Sequence, residues 1–241
     1  MRSLFLLLSL FLCQTAAAFD WRAYDQLLRE HVHSGHRFGV SANLVDYAAI
    51  GKDPAFAAIA EQLANYNPAP LNKIEKLAFY INAYNYFAIK LVVDQQPQNS
   101  IKDIGNFFSP VWKKPAGKIN GESVSLDFIE HQVLRKMGEP GIHFAIVCAS
   151  LSCPDLRAEA YIPEDLMQQL NDQIQLFLNN PKGLKIENNT LYISNIFDWF
   201  SADFKPYGGV LPFLRLYKPE LSGFDSFSSL DYDWRLNRWQ K

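Results

Sequence analysis

Residues 74–94, IEKLAFYINAYNYFAIKLVVD, are apolar on nearly every side from Leu77 to Val93, and a helix of that character has to be buried all round. Asn72 and Glu75 stand ahead of it at the spacing of a capping box, in which each side chain satisfies a free backbone N–H at the helix start. The most apolar part, Leu77 to Ile89, is well short of the roughly 20 residues that a bilayer needs. The segment therefore predicts a long central helix inside a globular core, with no integral membrane span anywhere in the chain. Asn82 and Asn85 sit one turn apart within it, and buried amides must find partners. They either fix the backbone of a neighbouring loop or offer amide N–H groups to an oxyanion or substrate carbonyl.

Outward from this helix the signals alternate. DWRAYDQLLREHVHSG, from Asp20 to Gly35, has Trp21, Tyr24, Leu28 and Val32 at helical spacing, with Asp20 as N-cap. Leu44 to Tyr47 reads as extended. Asp53-Pro54 opens a second helix with Phe56, Ile59 and Leu63 on one face, closed by Asn67-Pro68. Gln95 to Asn120 reads as a long loop with a strand or turn near Ile119–Glu122. Ser125 caps the helix LDFIEHQVLRKMG, which stops at Gly138. HFAIVCA (143–149) reads as a short buried strand and Pro163 as the start of another helix. LKIENNTLYIS reads as a hairpin about Asn188-Asn189, followed by a short helix from Asn195 to Phe204 and a tail tied down by Trp234 and Trp239. No repeat or linker interrupts this order. The expected fold is a single α+β domain over 19–241, several helices around the buried central helix with a small mixed or antiparallel sheet.

The 241 residues are 49% hydrophobic and 20% charged, with three cysteines, an ordinary globular balance. Arg2, the apolar run Leu4–Leu12 and the small residues Ala16–Ala18 have the three parts of a secretory signal over 1–18. Its removal takes away one charged residue and leaves a net charge of about −3, which argues against nucleic acid as a partner. A secreted or periplasmic protein is expected, acting on a small-molecule or peptide-like partner that the sequence does not identify. No Gly-rich phosphate loop, G-x-S-x-G or H-E-x-x-H is present, and no cofactor is expected.

Removal of the leader takes Cys13 and leaves Cys148 and Cys153. An unperturbed thiol is only about 3% ionised at pH 7, so a nucleophilic Cys148 needs a base or cation nearby. His143 on the same segment, His131 one element earlier and Arg157 on the next loop are candidates. A Cys148–Cys153 disulfide and an inert buried cysteine are the competing readings. Glu130 falls inside the apolar stripe of Leu126, Ile129, Val133, Leu134 and Met137, so it should be buried with a basic partner, Arg157 first and His131 or Arg135 otherwise, or have a raised pKa. His131 projects roughly 100° away from Glu130 on an α-helix, leaving Asp127 as its better-placed carboxylate. A metal cluster of His31, His33 and His36 lacks acid or cysteine neighbours at ligand spacing, and no metal is expected.

Taken together, Val45-Asp46-Tyr47, KLAFYINAYNYFAIK, Ser100–Ile104, LDFIEHQVLR, HFAIVCASLSCPDLR, Ala160-Tyr161 and ISNIFDWFSADF resemble the domain-of-unknown-function 547 family in order and spacing, over about 45–217. Where that family usually reads FWIN, this chain has Phe79-Tyr80-Ile81-Asn82. The resemblance implies a secreted or envelope bacterial protein, with a related domain in plants, and supplies no activity. It includes the positions of Asn82, Asn85, Glu130, His131, Cys148 and Arg157. It also implies that some plant members lack a counterpart of Cys153, which moves weight towards Cys148 as the reactive cysteine. The expectation is a cysteine-dependent hydrolase or acyl transferase acting on an amide or thioester. In it Cys148 attacks, His131 or else His143 is the base, Glu130 and Arg157 orient, and Asn82 or Asn85 holds the oxyanion. The alternative is a non-enzymatic envelope binding or assembly protein whose recognition loop is clipped by Cys148 and Cys153.

Overall fold

The computed structural model describes residues 18–240, so all of the expected leader except Ala18 lies outside the described residues. The central helix, α4 (Lys73–Gln95), follows α1 (Arg22–His31), β1 (Val32–Arg37), β2 (Val40–Val45), α2 (Tyr47–Ile50) and α3 (Pro54–Asn65). Asn72 and Glu75 form the full capping box, and Asp53 caps α3 ahead of Pro54. Side chains from Leu77 to Val92, all but the half-buried Tyr80 and Lys90, are buried in α4. It packs against α2, the hairpin of β3 (Pro115–Ile119) and β4 (Glu122–Ser125), and the helix that follows it. Gly117 of β3 lies so close to the Phe87 ring of α4 that a Cβ there would fall 2.1 Å from it. No helix among the described residues is long and apolar enough to cross a membrane.

The second half runs through α5 (Leu166–Leu178), β5 (Leu184–Glu187), β6 (Thr190–Ile193), α6 (Ile196–Trp199), α7 (Val210–Tyr217) and β7 (Ser228–Ser229). β5 and β6 pair antiparallel about the Asn188-Asn189 turn, both residues at positive φ, and β7 adds parallel to β6. Helices and three small sheets thus make one α+β domain, with a small apolar cluster at Ala42, Leu44 and Leu151 and two large ones. One surrounds α4; the other gathers Phe144, Phe177, Phe197, Phe204 and Phe213 between α5, α6 and α7.

Several local expectations give way to long-range pairing. The first helix stops at His31 instead of running to Gly35, because Val32–Arg37 pairs antiparallel with Val40–Val45. Asp20 accepts the Arg22 amide at 3.1 Å, while the N-cap is Trp21. The segment 143–149 is not a strand: Pro140–Phe144 is a 3-10 turn and the rest is irregular. Its buried backbone needs partners all the same. Asn85 of α4 supplies them, donating to the Ala145 carbonyl and accepting from Val147 N–H, each at 2.9 Å. The helix opened by Pro163 settles into α-form only at Leu166, and that expected over Asn195–Phe204 splits into α6 and a 3-10 turn at Ser201–Tyr207.

Candidate functional site

Between the two large clusters lies a cavity of about 390 Å³ lined by Tyr84, Glu130, His131, His143, Cys148 and Cys153 among others. Aromatic side chains wall it. Trp199 and Trp234 stack with ring centroids 5.7 Å apart, Tyr232 leans on both, and Trp112 meets Trp234 edge-on. Trp234 and Tyr232 belong to a C-terminal strap whose backbone pairs with the cysteine loop: Leu151 N–H donates to Arg235 C=O and Ser152 N–H to Asp233 C=O.

Glu130 and His131 reach the cavity from Phe128–Leu134, which is wound as a π-helix; its frame is marked by the Arg135 N–H donating to the Glu130 carbonyl. A wider turn holds more residues than an α-turn, so successive side chains diverge by less than about 100°. That is how two adjacent residues share one cavity. Glu130 is 7% exposed, and its pairing is not with Arg157, which binds Glu159 and approaches Asp172. Its partner is the Tyr84 hydroxyl, which donates at 3.3 Å. Burial, only partly offset by that hydrogen bond and by Arg135, pushes the Glu130 carboxyl up to about 7.

His143 is buried, with Nε2 2.8 Å from an Asp203 carboxylate oxygen and its ring stacked on Phe200. Its Nδ1 is buried and has no hydrogen-bond partner among the described residues. Asp203 also receives Arg135 through Nε at 2.6 Å and Nη2 at 2.8 Å. Burial alone would raise its pKa, but the bonds from His143 and Arg135 outweigh that and hold it well below the usual carboxylate range. An ionised Asp203 keeps the His143 proton on Nε2 and leaves the Nδ1 lone pair free. Burial pushes His143 towards its neutral form, against the pull of Asp203. His131 is arranged differently. Arg135 Nη1 lies 2.9 Å from its Nδ1 and Asp127 3.9 Å from its Nε2. Because the guanidinium only donates, it occupies the lone pair of the neutral ring.

Cys148 and Cys153 are joined in a disulfide with Cα atoms 6.2 Å apart, so Cys148 is not a resting thiol as the nucleophile reading expects. Ala149, which follows Cys148, takes φ 57°, a left-handed conformation uncommon for a residue with a Cβ. Cys148 N–H points at Cys153 Sγ (2.9 Å), Ser150 Oγ lies 3.2 Å from Cys148 Sγ, and the Tyr232 hydroxyl lies 3.4 Å from each sulfur. Three potential donors therefore surround the sulfur pair.

The cavity brings together Cys148, Cys153, Glu130, His131 and His143; it does not include Asn82, Asn85 or Arg157. Both amides of Asn82 and Asn85 are committed to the backbone of Tyr161, Ala145 and Val147, which overturns their expected place at an oxyanion. Asp203 is the residue that sequence reasoning missed. It stands in ISNIFDWFSADF as an acid among aromatics, but so does Asp198, and no periodicity of the kind that marked Glu130 sets it apart. His33 packs on Trp239 and His36 on Ser41, so neither joins His31. Glu30, His31 and Asp53 bring one ligand-type atom each within 4.8 Å of one another, at the end of α1 and the start of α3.

Residues 68–178 match the family model described as protein of unknown function, DUF547. The matched stretch contains α4, the π-helix and the cysteine loop, and supports the family resemblance carried by the motifs; Asp203 and the strap lie beyond it. No curated protein and no solved structure matches the chain.

Proposed function

We propose that the cavity is the active site of a secreted or periplasmic cysteine-dependent enzyme, a hydrolase or acyl transferase acting on an amide or thioester. Cys148 is the nucleophile, His143 its base and Asp203 the group that orients His143. The observation that carries this reading is the His143–Asp203 pair, in which His143, a residue lining the same cavity as Cys148, keeps a buried Nδ1 with no partner among the described residues. A nucleophile and a base lining one concave site, with an orienting acid bound to the base, are the parts that thiol acyl transfer requires. His131 is the weaker base because Arg135 holds its lone pair.

With Cys148 bonded to Cys153 the nucleophile is absent, and an external dithiol has to deliver two electrons and two protons to open the pair. Once it is open, the hydroxyls of Ser150 and Tyr232 are positioned to donate to the Cys148 sulfur, favouring thiolate. His143 Nδ1 takes the Cys148 proton as sulfur attacks the carbonyl carbon, and returns it to the leaving amine or thiol. Water, or an acceptor amine, then displaces the acyl group from sulfur. Glu130, whose burial pushes its carboxyl up to about 7 and so favours the protonated form, supplies a donor on the same wall.

The test is alkylation with iodoacetamide at pH 6–7, mapped by mass spectrometry, before and after a dithiol. Before reduction neither cysteine should label. Afterwards Cys148 should label faster than free cysteine, and His143→Ala should slow it at least about tenfold. A second reading, the clipped binding protein, is favoured by the closed disulfide itself. Reduced thiols that label more slowly than free cysteine, and ignore His143→Ala, would overturn the enzyme in favour of the clip.

A further inference from the structure

Between the 3-10 turns at Ile101–Ile104 and Val111–Lys113 the chain throws out a short loop, Gly105 to Pro110. At its tip Phe107 and Phe108 are 92% and 93% exposed, whereas no other exposed large apolar side chain among the described residues exceeds 64%. Their display is built. Asn106 and Ser109 exchange backbone hydrogen bonds at 3.1 and 3.2 Å, and the Asn106 side-chain oxygen accepts from the N–H groups of Phe108 and Ser109. The neck is pinched at Gly105, where a Cβ would fall 2.5 Å from Val111 N and 2.8 Å from Ser109 O. Only glycine fits there, so the tip is held away from the body. The two rings meet edge to face at 5.4 Å and touch no other ring among the described residues.

Leaving two phenylalanines in water forgoes the stabilisation that burying their rings would give, and a hydrogen-bonded turn that presents them implies something that covers them. Charge identifies it. Lys102, Lys113 and Lys114 flank the loop, and among the described residues none of them has a carboxylate partner. Lys102 rests instead on the Trp234 ring, 3.5 Å from its centroid. This basic collar stands on a chain whose net charge is −2. An apolar tip with a lysine collar matches an anionic bilayer, whose acyl boundary takes the rings while its headgroups attract the lysines. A tip of two residues is small beside the ~1,200 Å² that a stable protein interface buries.

We propose that the Phe107-Phe108 loop and its collar of Lys102, Lys113 and Lys114 dock this protein on the surface of anionic membranes. Lys102, Pro110, Trp112 and Lys113 also line the cavity, so docking brings the cavity wall to the lipid interface. The docking stands whether or not Cys148 is a nucleophile.

Co-sedimentation of the secreted chain with vesicles tests it, using phosphatidylglycerol–phosphatidylethanolamine against phosphatidylcholine alone. Binding is expected to the anionic vesicles, weakened by 0.5 M salt (on the order of three times physiological ionic strength). The double variant Phe107→Ser/Phe108→Ser should lose at least about tenfold in affinity with an unchanged thermal melt. Lys113→Ala/Lys114→Ala should lose affinity for anionic vesicles only, and His143→Ala should bind as the parent does. Absence of binding to anionic vesicles, or equal binding by the double phenylalanine variant, overturns the proposal. So does a parent dimer in gel filtration that the double variant converts to monomer without any vesicle binding, since a second copy then covers the tip.

Discussion

Glu130 sets burial against ionisation within a single side chain. Its carboxyl moves from an ordinary 4.5 to about 7 because the π-helix holds it among apolar neighbours with one phenolic donor. A raised carboxyl pKa means that the folded state keeps its proton longer than the unfolded state does. The site is least costly below pH 4.5, and the penalty grows as pH rises through about 7, reaching on the order of 3 kcal/mol. Glu130→Gln keeps the shape without the charge, so its melting temperature should gain on the parent as pH rises from 5 to 8. A difference that stays flat with pH would mean that Glu130 titrates like an exposed acid. Asp203 is the opposite case, an acid held ionised by His143 and Arg135. Asp203→Asn can accept from His143 through its oxygen or donate through its nitrogen, so the tautomer is no longer fixed. After reduction, Cys148 alkylation should slow at least about tenfold, while Asp127→Asn, next to His131, should leave it unchanged.

Helices α3 and α4 and the hairpin of β5 and β6 are legible from the sequence because their signals are local: Asp53-Pro54, the Asn72–Glu75 box, and two asparagines free to take positive φ. The segment 143–149 has no such signal. Its apolar run suits a strand, but what fixes it is the side chain of Asn85 on another element, with Gln173 of α5 donating to the Phe144 carbonyl. The same holds for the site. Residue types picked out Cys148, Glu130, His131 and His143, since cysteines are few and an acid in an apolar stripe is conspicuous. Spacing could not choose between the histidines, because that choice rests on Arg135 and Asp203, and Asp203 is far away in sequence. Asn82 and Asn85 show the converse, polar residues in a core whose work is to staple loops. Asn85→Ala should strand two buried backbone groups and destabilise by about 2–4 kcal/mol in urea or thermal unfolding. Asn85→Asp, which keeps the acceptor for Val147 but loses the donor to Ala145, should not restore the parent's stability. An Asn85→Ala protein as stable as the parent would show that the loop finds other partners.

Across the whole molecule, the C-terminal strap binds the two ends of the chain to the site between them. Val45 of β2 donates to Asn237 C=O and accepts from Trp239 N–H, Asn237 N–H donates to Ala149 C=O, and Leu236 N–H to Asn99 C=O. The strap thus spans β2, the start of the cysteine loop and the segment after α4 before placing Trp234 and Tyr232 on the cavity. Asn237 is its anchor, 4% exposed, with its side-chain oxygen accepting from the buried Tyr47 hydroxyl at 2.6 Å and its amide donating to Asn43 C=O. Asn237→Ala removes the Tyr47 partner without touching the cavity and should cost about 1–3 kcal/mol in thermal or denaturant unfolding. Loosening the strap should also carry the Tyr232 hydroxyl away from both sulfurs, so that local opening there costs less than in the parent. A dithiol should therefore reduce Cys148–Cys153 faster in Asn237→Ala than in the parent, by at least the factor that the stability loss predicts, about fivefold for 1 kcal/mol. A variant destabilised by that amount but reduced at the parent's rate would separate the strap from access to the sulfurs, and leave Trp234 and Tyr232 as fixed walls of the cavity.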